Sequence, residues 1–200
     1  MQKSLTALYT IFIFFSFACN DNNNETKEII PAANTEDVQS YFPVTEFLLG
    51  QLKEIDSLPV TPLKIIKNGQ KTDSVWMKKK DIRSFATAFL QPVIDSTSMH
   101  KYFGEKSFMD QTINAVTLSY DPKIELPDSI KLNHFDVYID PEKNKVQRIY
   151  MVKEEVKNDE ELTTQFTWKV NKWCSIRTIK QAPGKAPEVQ EEIMKWDFDE

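Results

Sequence analysis

The chain has 200 residues, a formal charge of −5 and 40% hydrophobic residues, which excludes a disordered chain and a polytopic membrane protein. The acidic balance excludes a phosphate-backbone binder, so no nucleic-acid partner is expected. Four scattered glycines build no phosphate-cradling loop, and two histidines and two cysteines supply neither a zinc set nor a disulfide framework, so no metal or cofactor is expected.

The chain opens with a short basic segment at Lys3, followed by an uncharged apolar run from Leu5 to Phe17. That run has about the length of a signal h-region and falls short of the roughly 20 residues needed to span hydrocarbon. Ser16, Phe17, Ala18 and Cys19 follow, and the sequence then turns polar at once as Asn20-Asp21-Asn22-Asn23-Asn24-Glu25. A small residue before cysteine admits a peptidase, and the thiol is the one nucleophile here able to carry a thioether-linked lipid. This segment resembles the lipobox of bacterial lipoproteins. The resemblance implies a signal peptide over 1–18, lipidation of Cys19 with palmitate among its acyl chains, and the lipid bilayer as a partner. It implies an exported, membrane-anchored protein. Asp21 resembles an inner-membrane retention signal of some bacteria, and the acidic residues after Cys19 resemble a surface-sorting signal of others; the outer membrane is favoured.

Residues 19–40 are expected to form the lipidated cysteine and a flexible tether, with a reach of about 25 Å. Residues 41–200 then hold one folded domain. Val44, Phe47, Leu48, Leu52 and Ile55 recur at helical spacing and predict a helix over 43–55. Leu63–Ile66 and Asp73–Met77 flank Asn68-Gly69 and predict a β-hairpin. Ile82, Phe85, Ala86, Phe89, Leu90 and Val93 predict a second helix over 80–94, with Pro92 in its last turn. Residues 98–110 read as a short helix or turn burying Met99, Tyr102, Phe103 and Phe108.

From Gln111 onward the apolar period changes to two. Strands are expected at 112–120, 132–139, 147–155, 162–170, 173–180 and 188–196, joined by Asp-Pro, Asn-Asp, Asn-Lys and Pro-Gly turns. The expected fold is α+β, with N-terminal helices packed on a curved antiparallel meander of about five to six strands, of cystatin-like or NTF2-like general shape.

Three clusters carry candidate chemistry. Turning Phe135, Val137 and Ile139 inward places His134, Asp136 and Tyr138 on the other face. A register pairing Val137 with Ile149 sets Tyr138 beside Arg148 and Asp136 beside Tyr150. A general acid–base site can use such groups, and a plain solvated sheet face carries the same residues. The second cluster is the 164–179 hairpin. A two-residue turn at Asn171-Lys172 puts Phe166, Trp168, Val170 and Trp173 on one face, as core or as a ligand platform, and Cys174 on the other. The third is Lys78-Lys79-Lys80, a solvated loop or a contact for an anionic partner. His100 reads as a surface residue. Glu154-Glu155, Asp159-Glu160-Glu161 and Glu191-Glu192 lack calcium-loop spacing.

Hydrolase, zinc-protease, P-loop, kinase and dinucleotide motifs are absent, so no catalytic residue is assigned. The stretch Gln165–Ile176, with its Trp…Lys…Ile pattern, is similar to a hairpin of small envelope lipoproteins of Gram-negative bacteria. That resemblance implies no particular activity. The expected function is an interaction or small-ligand-binding module, with a possible envelope protein partner. The alternatives are an enzyme using the His134/Asp136/Tyr138 face and a purely structural accessory lipoprotein.

Overall fold

The computed structural model describes residues 41–93 and 95–198. The expected leader, Cys19 and tether lie outside the described residues, as does Ile94 at the end of the expected second helix.

Helix α1 (Val44–Ser57) buries Leu48, Leu52 and Ile55 on one stripe. It stops at Leu58, which is extended ahead of Pro59. Strands β1 (Leu63–Asn68) and β2 (Lys71–Trp76) form the hairpin, turning at Gly69-Gln70. Gly69 has φ +56°, a value at which a side chain is strained. Helix α2 (Lys79–Ala86) is shorter than its apolar spacing predicts. The chain tightens into a 3-10 turn (Thr87–Leu90), and Gln91 is extended before Pro92. Proline excludes the helical conformation from the residue before it, which ends the segment there. Helix α3 (Ser96–Tyr102) starts at Asp95, whose carboxylate accepts the Ser98 N–H at 2.7 Å.

Strands β3 (Phe103–Asp110), β4 (Ala115–Pro122), β5 (Leu132–Asp140), β6 (Lys145–Lys157), β7 (Glu160–Lys169), β8 (Trp173–Gln181) and β9 (Glu188–Lys195) follow as antiparallel hairpins. Their turns use Asn114, Asn144, Asn158, Asp159, Asn171 and Gly184 at positive φ, the conformation these residue types tolerate best. Strand β1 pairs with β9, so the described residues form one sheet of nine strands in the order β2-β1-β9-β8-β7-β6-β5-β4-β3.

This overturns the expected architecture of helices on a five- to six-strand meander. The sheet dominates, and the helices are few and short. Two elements account for the difference. The β1–β2 hairpin joins the main sheet through β9 instead of standing apart. Residues 103–110 are an edge strand, not a helix or turn, and Phe108 on it is exposed rather than buried. An edge strand with one fully buried side chain, Phe103, carries little period-two signal.

The core lies between the helices and one face of the sheet. Leu48, Leu52, Ile55, Ile82, Ala86, Phe89 and Met99 meet Tyr120, Phe135, Val137, Ile149, Met151, Phe166, Trp168 and Met194. Phe89 wedges edge-on against Phe166 and Trp168, with centroids at 5.2 and 5.4 Å. Tyr120 stacks on Phe135 at 4.2 Å. Such aromatic pairs add about 0.5–1.5 kcal/mol each beyond area burial.

The β7–β8 hairpin departs from the expected face assignment. Lys169 pairs with Trp173 and Trp168 with Cys174, leaving a three-residue loop, Val170–Lys172. One extra loop residue inverts the parity of the returning strand. Cys174 therefore lies in the core opposite Trp168, and Trp173 shares the other face with Lys169.

Candidate functional site

The face of the sheet turned away from the helices carries the polar cluster. In the β5–β6 pair, Val137 lies opposite Ile149, Asp136 opposite Tyr150 and Tyr138 opposite Arg148. His134, Asp136 and Tyr138 thus share one face with Arg148 and Tyr150.

Three hydrogen bonds and ion pairs organise the first half of this face. His134 Nδ1 lies 2.8 Å from Asp121 Oδ1, and His134 Nε2 lies 3.0 Å from Asp136 Oδ2. The Tyr138 hydroxyl donates to the same Asp136 oxygen at 3.0 Å. Asp121 is also paired with Lys106 at 3.1 Å. Asp121 sits at the end of β4, where the sequence reads as turn chemistry. The continuation of the strand to Pro122 brings it to the histidine.

The electrostatics follow from this geometry. The Asp136 hydrogen bond raises the His134 pKa, burial opposes it, and Asp121 adds to the rise, leaving it at about 9. Burial pushes the Asp136 carboxyl upward, but hydrogen bonds from His134 and Ser119 overcome it and hold the pKa below the usual value. Asp121 is lowered chiefly by its His134 hydrogen bond. Burial and the Asp136 charge raise the Tyr138 phenol. At neutral pH, His134 is a charged imidazolium with both ring nitrogens committed. It holds three strand positions together and has no free lone pair for taking a proton.

The second half of the face is a cross-strand row. Tyr138, Arg148, Lys169, Trp173 and Lys195 are successive direct partners across β5, β6, β7, β8 and β9. The Arg148 guanidinium lies over the Tyr138 ring, 3.9 Å from its centroid, a cation–π contact. Lys195 lies 5.3 Å from the Phe198 centroid, and Phe198 packs on Trp76 at the β2 edge. Trp76 is 62% exposed and Phe198 46%. Arg148 and Lys169 are like charges placed directly opposite, and among the described residues no carboxylate pairs with either or with Lys195. Burial lowers the Lys169 pKa, and the nearby Arg148 and Lys172 charges lower it further.

Sequence reading finds Tyr138 and Arg148 but not Lys169 or Lys195, whose membership depends on register. The other candidates resolve into structural roles. Lys79 Nζ donates to the Asp56 and Leu58 carbonyls at 2.7 and 2.6 Å, closing the end of α1. Asp81 accepts the Lys78 N–H at 2.9 Å. Glu191 and Glu192 pair with Lys67 and Lys64 at 2.9 and 3.1 Å. His100 on α3 meets the Tyr41 ring edge-on at 4.5 Å. Phe166 and Trp168 are core, not a platform. Among the described residues no cluster of His, Cys, Asp and Glu could hold a metal ion, and no helix is long and apolar enough to cross a membrane.

Comparison with protein-family models, with curated proteins and with solved structures finds no match to the chain.

Proposed function

We propose that the chain is an exported lipoprotein, anchored by an acylated Cys19, whose sheet domain binds an acidic envelope protein through the Tyr138–Lys195 row. One observation carries the binding half of this reading. In an acidic chain, Arg148 and Lys169 stand side by side with no carboxylate partner among the described residues, flanked by Tyr138 and Trp173. Like charges directly opposite destabilise a sheet, and a partner carboxylate between them relieves that cost. The residue types fit a protein partner, because Tyr, Trp and Arg dominate interface hot spots. The row spans four inter-strand steps, about 19 Å, the width of a small protein contact. The anchoring half rests on the lipobox-like Ser16–Cys19 and the polar run after it. Outer-membrane placement belongs to the same reading.

Two experiments test the halves separately. Cys19→Ala abolishes incorporation of labelled palmitate and leaves the leader uncleaved; a mature terminus other than Cys19 overturns the anchor. For binding, a photo-crosslinker replaces Trp173 in the full-length, detergent-solubilised protein. The expected product is one stoichiometric adduct to a carboxylate-rich segment, lost at high salt and lost in Arg148→Glu/Lys169→Glu. An adduct that survives the double charge reversal, or no adduct from intact envelopes, overturns the reading.

A further inference from the structure

A second site lies on the opposite face of the sheet, at the edge of the helical layer. Lys153 points inward from β6, between Leu132 on β5 and Thr164 on β7. Its ammonium donates to the Ala88 carbonyl of the 3-10 turn at 2.6 Å and lies 4.2 Å from the Phe166 ring centroid. Burial is the sole cause that depresses its pKa, to about 8, and among the described residues no carboxylate forms an ion pair with it. A buried ammonium normally has a paired anion.

Lys153 lines a cleft of about 420 Å³, a size that suits a small molecule. Lys131 supplies a second ammonium there, Gln91, Ser129 and Thr164 supply neutral polar groups, and Pro92 and Ala88 supply apolar surface. Glu155 also lines the cleft, and Lys131 has a long, solvated contact with Asp128 at 3.9 Å. Asp128 answers Lys131, whereas among the described residues no carboxylate lies within ion-pair distance of Lys153, so the anion to be matched is the one that Lys153 lacks.

We propose that this cleft binds a small organic monocarboxylate bearing a flat apolar group. The carboxylate sits between Lys153 and Lys131, and the apolar group lies on Pro92 and Ala88. A polyanion is disfavoured by Glu155, and an uncharged ligand leaves Lys153 unanswered. The site shares no residue with the outer row, so its failure leaves the proposed partner contact untouched, and the reverse holds.

Benzoate is the probe, with acetate as the comparison lacking the flat group. Lysine side-chain NMR of the full-length protein follows the Lys153 titration directly. Saturating benzoate raises the Lys153 pKa from about 8 toward the ordinary lysine value, because a bound carboxylate favours the charged form. Acetate binds more weakly, and Lys153→Met lowers benzoate affinity by about tenfold or more. Lys153→Arg, which keeps the charge, retains part of the binding. A Lys153 titration unmoved by saturating benzoate overturns the proposal in the wild-type protein, whatever the variants do to folding. Equal benzoate affinity in a folded Lys153→Met also overturns it.

Discussion

His134 Nε2 lies 3.0 Å from Asp136 Oδ2, two positions further along the same strand. Residues two apart on a strand point to the same face, so this pair is a local consequence of β5 being extended. Asp121 on β4 then closes the other ring nitrogen. The folded-state pKa of His134, about 9, lies above its ordinary value of 6.5. Its stabilisation is therefore fully present below about pH 6.5 and is lost as pH rises through about 9. Asp121 and Asp136 have depressed values. Their contribution is present above the ordinary carboxylate range and is lost in acid. We expect His134→Gln to cost about 1–2 kcal/mol near pH 6, allowing for the solvent that reaches the ring. Urea melts across pH should show the gap between wild type and variant closing as pH rises past 9. A gap independent of pH excludes the ionic clamp.

The Arg148–Lys169 pair predicts an opposition between stability and binding. Lys169→Thr removes a like-charge neighbour from a sheet position that suits a β-branched residue. We expect stability to stay level or rise by about 0.5 kcal/mol. Adduct formation at Trp173 falls in the same variant. A variant that loses stability and binding together assigns Lys169 to the fold instead.

Much of the site was legible in the sequence because strand parity is local. Alternation alone places His134, Asp136 and Tyr138 on one face, and the register placing Tyr138 beside Arg148 follows from aligning Val137 with Ile149. Asp121 was not legible, since Asp-Pro reads as turn chemistry and only the extension of β4 carries it to His134. The β7–β8 hairpin shows how little separates the two cases. Counting Asn171-Lys172 as a two-residue turn sends Trp173 into the core, whereas the three-residue loop sends Cys174 there. The pairing of β1 with β9 joins residues at opposite ends of the domain. No local pattern encodes it, which is why the sheet is wider than its consecutive hairpins suggest.

That loop yields a prediction of its own. Asn171 has φ +61°, and the Lys172 N–H donates to the Lys169 carbonyl at 3.1 Å to close the turn. Asparagine tolerates this conformation and a β-branched residue does not. We expect Asn171→Gly to be neutral within about 0.5 kcal/mol and Asn171→Val to cost about 1–2 kcal/mol. Thermal melts of the two variants check this. Equal loss in both shifts the origin of the effect to the Asn171 side chain.

Cys174 and Trp168 face each other across β7 and β8, and both are fully buried. Burial raises the Cys174 thiol well above its ordinary pKa, so the reactive thiolate is suppressed twice, by access and by ionisation. In the folded protein a thiol reagent should modify Cys174 only as fast as the domain opens. Cys174→Ala leaves a small void and costs about 1 kcal/mol. Cys174→Ser keeps the volume closer but buries a hydroxyl in an apolar setting, which costs about 1–3 kcal/mol unless it finds a partner. The order, serine below alanine below wild type, distinguishes this site from a surface cysteine, for which both changes are silent. Chemical denaturation of the two variants, with labelling rates measured in parallel, reads both quantities. Rapid labelling under native conditions places Cys174 on the exposed face and rejects the three-residue loop.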